Sequence, residues 1–538
     1  MLTRREFHSR LLAALAVTAV PVPAAAAAGG GLYLNRLTFG ARSGEEVADP
    51  VAWLEDQLAM PAADDGLTAR LAAARLRIAY AAGKDQNGQS WPARDEVRPL
   101  TTLTADPAEL LYCIDWEQGM DFAERARPAD EVIAASLIRV VHAPAQLREV
   151  MTQFWHDHFN VNAHKDEFCA AFFAGHDAAL RENALGNFGV LLAETARSPA
   201  MLYYLNNADS RASPANENYA RELLELHTLG AANYMNDRYD DWQSMPKGPD
   251  GVALGYMDLD VYEVARAFTG WSVADGRYVT EGVNAARTGR FGYIEAWHDP
   301  YQKRILGVEF APYGGPMQDG ERVLRMLARH PGTARFVCTK IARRLLADEP
   351  DARLVGDLAA VFLTAADAPD QIAQVIRALV LHPSFAATTP QKLRRPFEFL
   401  AALYRATGAE VTGTENAFQW QLMRAGWRQH EFGPPTGHPD TADKWVGASA
   451  LNRVVDLGLY AHDDWFGVAS VDFTAQPEET VGGFMSRWAA RLGGVADWAA
   501  AAGVDPMAAM SDLSDDERKG LASGAIAMAA LTPQFLLR

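Results

Sequence analysis

Two segments of the chain concentrate side chains that could hold a metal or move protons. FWHDHFNVNAHKDE, residues Phe154–Glu167, carries His156, His158 and His164 with acids on either side. NENYARELLELHTLG, residues Asn216–Gly230, carries Glu222, Glu225 and His227. Imidazole nitrogens and carboxylate oxygens form the donor set that suits zinc, iron or manganese. The same groups act as general acids and bases when no metal is bound.

Whether these residues can act together depends on the backbone beneath them. Leu147, Val150, Met151, Phe154, Trp155 and His158 follow a helical stripe. On a helix, residues two apart point roughly 200° away from each other. His158 would then face the core and His156 would face away, and the pair could share a metal only if the helix ended before His156. In the second segment, Pro214 and Asn216 suit a helix start and Gly230 its end. Tyr219, Ala220, Leu223, Leu224 and Leu226 form a broad apolar face with His227 at its centre and Glu222 on its margin. Asn218 and Glu225 lie within three- and four-residue reach of Glu222. Two readings stand. Glu222 and Glu225 face His156 and His158 as a metal-bearing or polar centre, or Arg221 and Arg266 bind the two carboxylates as structural ion pairs.

Three further segments hold reactive groups. His298-Asp299, with Lys303 four residues on, occupies a turn and offers a His–Asp dyad with a nearby amine for acid–base catalysis. DLDVYEVARAFTGW, residues 258–271, places Glu263 and Arg266 three apart, the spacing of an ion pair on one helix face. HPGTARFVCTKIARRLLAD, residues 330–348, opens at Pro331 and stacks Arg335, Lys340, Arg343 and Arg344 along a helix, either an anion site or a solvated face. Gly-x-Ser-x-Gly elbows, Walker loops and dinucleotide fingerprints are absent from the sequence.

The elements that must position these groups read as mainly α, a multi-helix bundle. Gly66–Ala82, Asp130–Val141, Leu147–Phe159, Leu185–Arg197, Arg353–Ala366 and Asp370–Leu381 have apolar residues at three- and four-residue spacing. RFGYIEAW and KRILGVEF alternate in character on either side of HDPYQ, which predicts a small inserted β-hairpin over about residues 286–312. Gly83–Pro99 and Asp237–Gly255 read as loops.

The start of the chain reads as an export signal over residues 1–28. Arg4-Arg5-Glu6-Phe7 precedes an apolar run from Leu11 to Val20 and an alanine tract ending at Ala28. The paired arginines point to the twin-arginine route and to a periplasmic or secreted protein. The apolar run is short of the ~20 residues that a spanning helix needs, and no later segment reaches that length. The formal charge is −18, and losing Arg4, Arg5, Arg10 and Glu6 with the signal would take it to −20. Such a balance disfavours nucleic acid and anionic lipid as partners. Cys113, Cys169 and Cys338 are far apart and give no thiolate zinc spacing.

Taken in order, LNRLTFGARSGEE (34–46), FWHDHFNVNAHK, NENYARELLELHTLG, DVYEVARAFTGW, HDPYQKRILG, HPGTARFVCTKIARRLLAD, KLRRPFEFLAALYRATG (392–408), PPTGHPDTADKW (434–445) and the closing PQFLLR resemble domain-of-unknown-function family 1800. The resemblance spans residues 29–538 as a single, mostly helical family unit. It implies a helical exported protein whose partner is a second exported protein of sulfatase-like or alkaline-phosphatase-like character. His156, His158, Asn218, Glu222 and Glu225 match the family pattern, whereas Asn162-Ala163-His164-Lys165 departs from its Ser-x-Asn-Lys. The function expected is an exported enzyme with a His/Glu polar or metal-bearing centre, hydrolytic or oxidative. The alternative is a helical binding or assembly protein in which the same residues form a buried hydrogen-bond network.

Overall fold

Several helices start where the apolar stripe meets a capping side chain. Asn187 accepts from the Val190 amide at the head of Phe188–Arg197, and Asp351 accepts from Arg353 and Leu354 at the head of Ala352–Thr364. The computed structural model describes residues 30–62, 64–389, 391–413, 415, 417–447, 452, 457, 467–493 and 504–538. The segment read as an export signal lies outside the described residues. The architecture is mainly helical, with small two-stranded antiparallel sheets among the described residues. No helix among them is long and apolar enough to cross a membrane.

One helix, Gln146–His158, lies at the centre. All its residues are buried except Arg148 and Asp157, which are half-buried. It is therefore packed on every side and not along one stripe. Leu147, Met151 and Trp155 are fully buried, each contributing about 1.5–3 kcal/mol by leaving water. A neighbouring helix, Pro50–Ala59, caps it from outside: Gln57 Oε1 accepts from the Leu147 amide at 3.0 Å. Helices Arg127–His142 and Phe173–Glu182 pack beside it. Cys113, Cys169 and Cys338 are buried and unpaired within this interior.

The strand signals are real, but their pairing differs from the expected hairpin. Arg287–Tyr293 pairs with Trp271–Asp275, which begins directly after Gly270. Lys303–Ile305 instead turns back on Val308–Phe310. The reason is local: Leu306 and Gly307 both have positive φ, 50° and 74°, as a two-residue hairpin turn requires. A similar correction applies upstream. The helix expected over Gly66–Ala82 stops at Ala73, because RLRIAY from Arg75 to Tyr80 alternates exposed and buried residues and pairs with Arg94–Pro99.

The far C-terminal motifs close over the central helix. Lys392 and Arg538 exchange backbone hydrogen bonds, and Leu393 bridges Leu537. Gly437, with φ at +69°, brings the 434–440 segment so close to the helix that a Cβ there would sit 2.0 Å from the Asp157 carbonyl oxygen. Gly437→Ala is therefore expected to cost on the order of 3 kcal/mol, from left-handed strain and displaced packing together. The urea unfolding midpoint measures it, and an unshifted midpoint would mean that this segment does not seat on Asp157.

Candidate functional site at a pi-helical turn

The central helix runs through to His158, so His156, Asp157 and His158 leave it in three different directions. His156 Nε2 lies 3.0 Å from Asp177 Oδ1, and Asp177 is also held by Arg139 and Arg181 at 3.0 Å each. Arg181 continues to Glu149. Burial alone would raise the Asp177 proton affinity, but Arg181, Arg139 and His156 outweigh it and hold the carboxyl well below its usual range. The His430 ring lies 4.2 Å from that of His156. Its Nε2 accepts from the Gln429 amide at 3.0 Å, so the Ser136 hydroxyl, 2.9 Å away, donates to the same lone pair. His176 closes the group between Ser198 and the Phe159 carbonyl. All of these groups are enclosed and hydrogen-bonded.

Asp157 turns the opposite way. Its Oδ2 accepts from Arg395 Nη1 at 2.8 Å and its Oδ1 from the His438 amide at 3.2 Å. Arg395 also binds Glu398, which pairs with Arg344 as well, while Lys392 bridges Asp348 and Asp440. The sequence offered one signal for this role: an acid between two histidines on a helix must exit about 100° from each.

His158 takes the third direction. Its Nε2 donates to the His227 carbonyl at 3.0 Å, leaving Nδ1 buried without a partner. Burial, with Lys340 and His227 nearby, lowers its proton affinity well below the ordinary imidazole range. The segment it meets is not a regular helix. After one α-helical turn, Asn218–Glu222, the backbone widens into a π-helix over Leu223–Thr228. The Leu229 amide bonds Leu224 O at 2.9 Å and Thr228 Oγ1 bonds Leu223 O at 2.6 Å, both spanning five residues. Such π turns are rare and cluster at functional sites. Gly230 ends the segment at φ +83°, and a Cβ there would collide with the Phe336 ring. Glycine thus lets the helix Pro331–Leu345 pack against the turn.

Glu222, Glu225 and Leu226 of the turn, and Phe336 and Lys340 of the helix packed against it, are all partly exposed. Glu222 and Glu225 form no hydrogen bond or ion pair among the described residues, because the two arginines expected to bind them are engaged elsewhere. Arg221 pairs with Glu217 and Asp258. Arg266 pairs with Glu263 and Asp299. Burial, then the Glu225 carboxylate, raises the Glu222 proton affinity above the usual range. His227 is buried between the Phe159 and Tyr219 rings, and burial with Lys340 beside it lowers its pKa to about 3. The buried Tyr256 hydroxyl near these acids also lacks a partner. Asn218 is exposed and contacts Asn206 at 3.4 Å.

His156 and His158 are thus separated from each other, and each has a partner other than Glu222 or Glu225. Among the described residues, no three His, Cys, Asp or Glu side chains are grouped to hold a metal ion. At the hairpin turn, His298 Nδ1 contacts the Thr269 carbonyl at 2.9 Å, while the Asp299 carboxylate chelates Arg266. Buried Lys303 donates to Asp299 O, Tyr301 O and Asp319. His298 and Lys303 converge on Asp319, at 3.7 and 2.7 Å, while the Asp299 carboxylate is turned to Arg266. Two open grooves, of about 630 and 790 Å³, lie elsewhere, and arginines in them are tied to acids: Arg197 to Glu321, Arg329 to Asp367, Arg518 to Asp515.

A family model described as "Protein of unknown function (DUF1800)" matches residues 32–537, the span that the motifs mark out. No curated protein and no solved structure matches the chain.

His164, the residue that departs from the family pattern, has its own environment. Its ring nitrogens lie 3.1 Å from Asp130 and 3.0 Å from Glu431. Burial alone would lower its pKa; the two carboxylates outweigh burial and raise it to about 10. A group whose folded pKa is raised stabilises fully below its unfolded value of about 6.5, and that stabilisation fades as pH rises through the folded value. The stability gap between the native protein and His164→Gln is expected to be widest at pH 6 and to shrink steadily toward pH 10. Parallel urea titrations across that range measure it, and a pH-independent gap would refute the clamp.

Proposed function

We propose that this chain, which belongs to the DUF1800 family of proteins of unknown function, is an enzyme that moves protons on a polar substrate at the face of the π turn. Of the hydrolytic and oxidative chemistries open to a His/Glu centre, we infer the hydrolytic. Carboxyls, imidazoles and an amine transfer protons and carry no electrons, and the donors on this face do not group as metal ligands. No step is therefore routed through a zinc, iron or manganese ion.

The observation that carries the reading is that Glu222 and Glu225, each partly shielded from water, are unpaired among the described residues, while Arg221 and Arg266 are matched to other acids. An unpaired carboxyl near an apolar surface is costly, and perturbed acids cluster at functional sites. In this reading Glu222, with its raised proton affinity, donates to the leaving group, and Glu225 accepts a proton from the attacking water. Tyr256 supplies a hydroxyl from the wall beneath.

The Arg4-Arg5 segment supports export through the twin-arginine route to the periplasm or beyond. A second reading draws on a separate observation: the most polar motif, His156-Asp157-His158, is consumed by internal bonds. That favours a helical assembly protein, for which an exported sulfatase-like or alkaline-phosphatase-like protein is the partner that the family resemblance suggests.

Purified protein assayed with p-nitrophenyl acetate, phosphate and sulfate separates the two readings. Turnover of at least one ester is expected, with kcat reduced about 100-fold or more in Glu222→Gln and in Glu225→Gln and melting temperatures unchanged. No turnover of any ester, or full activity in both variants, would leave the assembly reading.

A further inference from the structure

The protein has eight lysines, and four of them are withdrawn from solvent. Lys303 is saturated by Asp299, Tyr301 and Asp319, and Lys392 by Asp348 and Asp440. Lys519 is engaged as well. Lys340 differs: among the described residues its amine makes no hydrogen bond and no ion pair, and it lies over the Phe336 ring, 5.5 Å from the centroid. Phe336 and Lys340 are four residues apart and share one face of Pro331–Leu345.

A second polar group in the same neighbourhood is also unfilled. The Phe336 ring lies 6.1 Å from that of His158. Because His158 Nε2 donates to the His227 carbonyl, Nδ1 carries the lone pair, and it is buried without a donor. An unpartnered amine and an unpartnered acceptor therefore flank one aromatic ring beside the π turn. The charged groups facing Lys340 are Asp157 and Asp440, both committed to arginine or lysine partners, together with Arg343 and the imidazoles of His158 and His227.

We propose that Lys340 is a carbonyl-capturing amine that binds small aldehydes or ketones reversibly as imines. The amine lone pair attacks the carbonyl carbon and forms a C–N bond while the C–O π electrons move to oxygen, which takes up a proton. The resulting carbinolamine is a neutral N–C–OH group formed beside the Phe336 ring, in the neighbourhood of the unfilled His158 Nδ1. Loss of that hydroxyl as water, with the departure of the remaining nitrogen protons, gives the C=N bond. Amine and carbonyl become imine and water, and nothing is oxidised or reduced.

Burial lowers the Lys340 pKa to about 8, against the pull of Asp157 and Asp440, and Arg343 adds to the fall. At neutral pH a far larger fraction of this amine is unprotonated than of an ordinary lysine near 10.4. Desolvation of this kind is how amines are activated for Schiff-base chemistry. The inference uses neither Glu222 nor Glu225 and so stands or falls separately from the hydrolytic reading.

The test is reductive alkylation of the full-length protein with butanal and cyanoborohydride at pH 7, followed by peptide mass mapping. Hydride delivered to the imine carbon leaves a stable secondary amine on the lysine that formed it. Lys340 is expected to be alkylated at least tenfold faster than exposed Lys84 and Lys247. That advantage should vanish in 8 M urea, and the fast site should be lost in a folded Lys340→Arg variant. Labelling of Lys340 no faster than of Lys84 in the native protein would overturn the proposal. So would an equal advantage that persists in urea, since it would then owe nothing to the fold.

Discussion

Asp157 leaves the central helix with one carboxylate oxygen 2.8 Å from Arg395, and Arg395 is shared with Glu398, which also holds Arg344. Arg344, Arg395 and Glu398 are almost completely buried. Moving such charges out of water costs several kcal/mol apiece, and the loss is offset only while every partner stays in place. Removing one member typically costs 3–5 kcal/mol because the others are left unmatched. The consequence is interdependence. Residues 157, 344, 392–398, 434–440 and 533–538 are distant in sequence, yet none of these segments can leave without stranding charge from the rest.

That constraint fixes the direction of its neighbours. With Asp157 pinned toward Arg395, helical geometry sends His156 toward Asp177 on one side and His158 toward the His227 carbonyl on the other. His158 then takes up an acceptor on the turn Leu223–Thr228, and the Phe336 ring packs into the space left by Gly230. A regular α-helix would bond each amide four residues back. Here the Leu229 amide bonds Leu224 and the Thr228 hydroxyl bonds Leu223, and the widened turn keeps His227 inside while Glu222 and Glu225 stay at the surface. The electrostatic network therefore sets the seat of the turn, and the turn sets which carboxyls remain free.

Much of this was legible in the sequence, and the rest was hidden for identifiable reasons. Helices such as Arg127–His142 and Gln371–Leu381 follow directly from apolar periodicity. Strand character at residues 290–297 and 303–310 was equally visible, although the first strand starts three residues earlier, Arg287–Tyr293; pairing partners are a tertiary property, and the Leu306-Gly307 turn decided them. The π turn had no local signature, because its widened bonds depend on a neighbouring helix that packs at Gly230. The separation of His156 from His158 was predictable once the helix was known to continue. That both would be buried was not, since a single-stripe reading assumes a helix with one wet face and this one has none. Asp177 and His430 were missed because nothing in their own segments marks them; only the fold brings them to His156.

The satisfied and unsatisfied groups of this protein divide along the same line. His298, Asp299 and Lys303 lie in a turn and look reactive in sequence, yet each is bonded to the backbone or to an opposite charge. Among the described residues Glu222, Glu225 and Lys340 lack such hydrogen bonds and ion pairs, and the Lys340 amine lies over the Phe336 ring. A partly buried charge without a partner is a net cost, and a fold tolerates it only with stability to spare. The interlocked charges around Asp157 and Asp177 provide a rigid frame on which that cost can be carried. The Lys340 amine sits over the Phe336 ring, and among the described residues neither Glu222 nor Glu225 forms an ion pair with it. The unpaired groups at the π turn thus stand against a frame whose charges around Asp157 and Asp177 are matched.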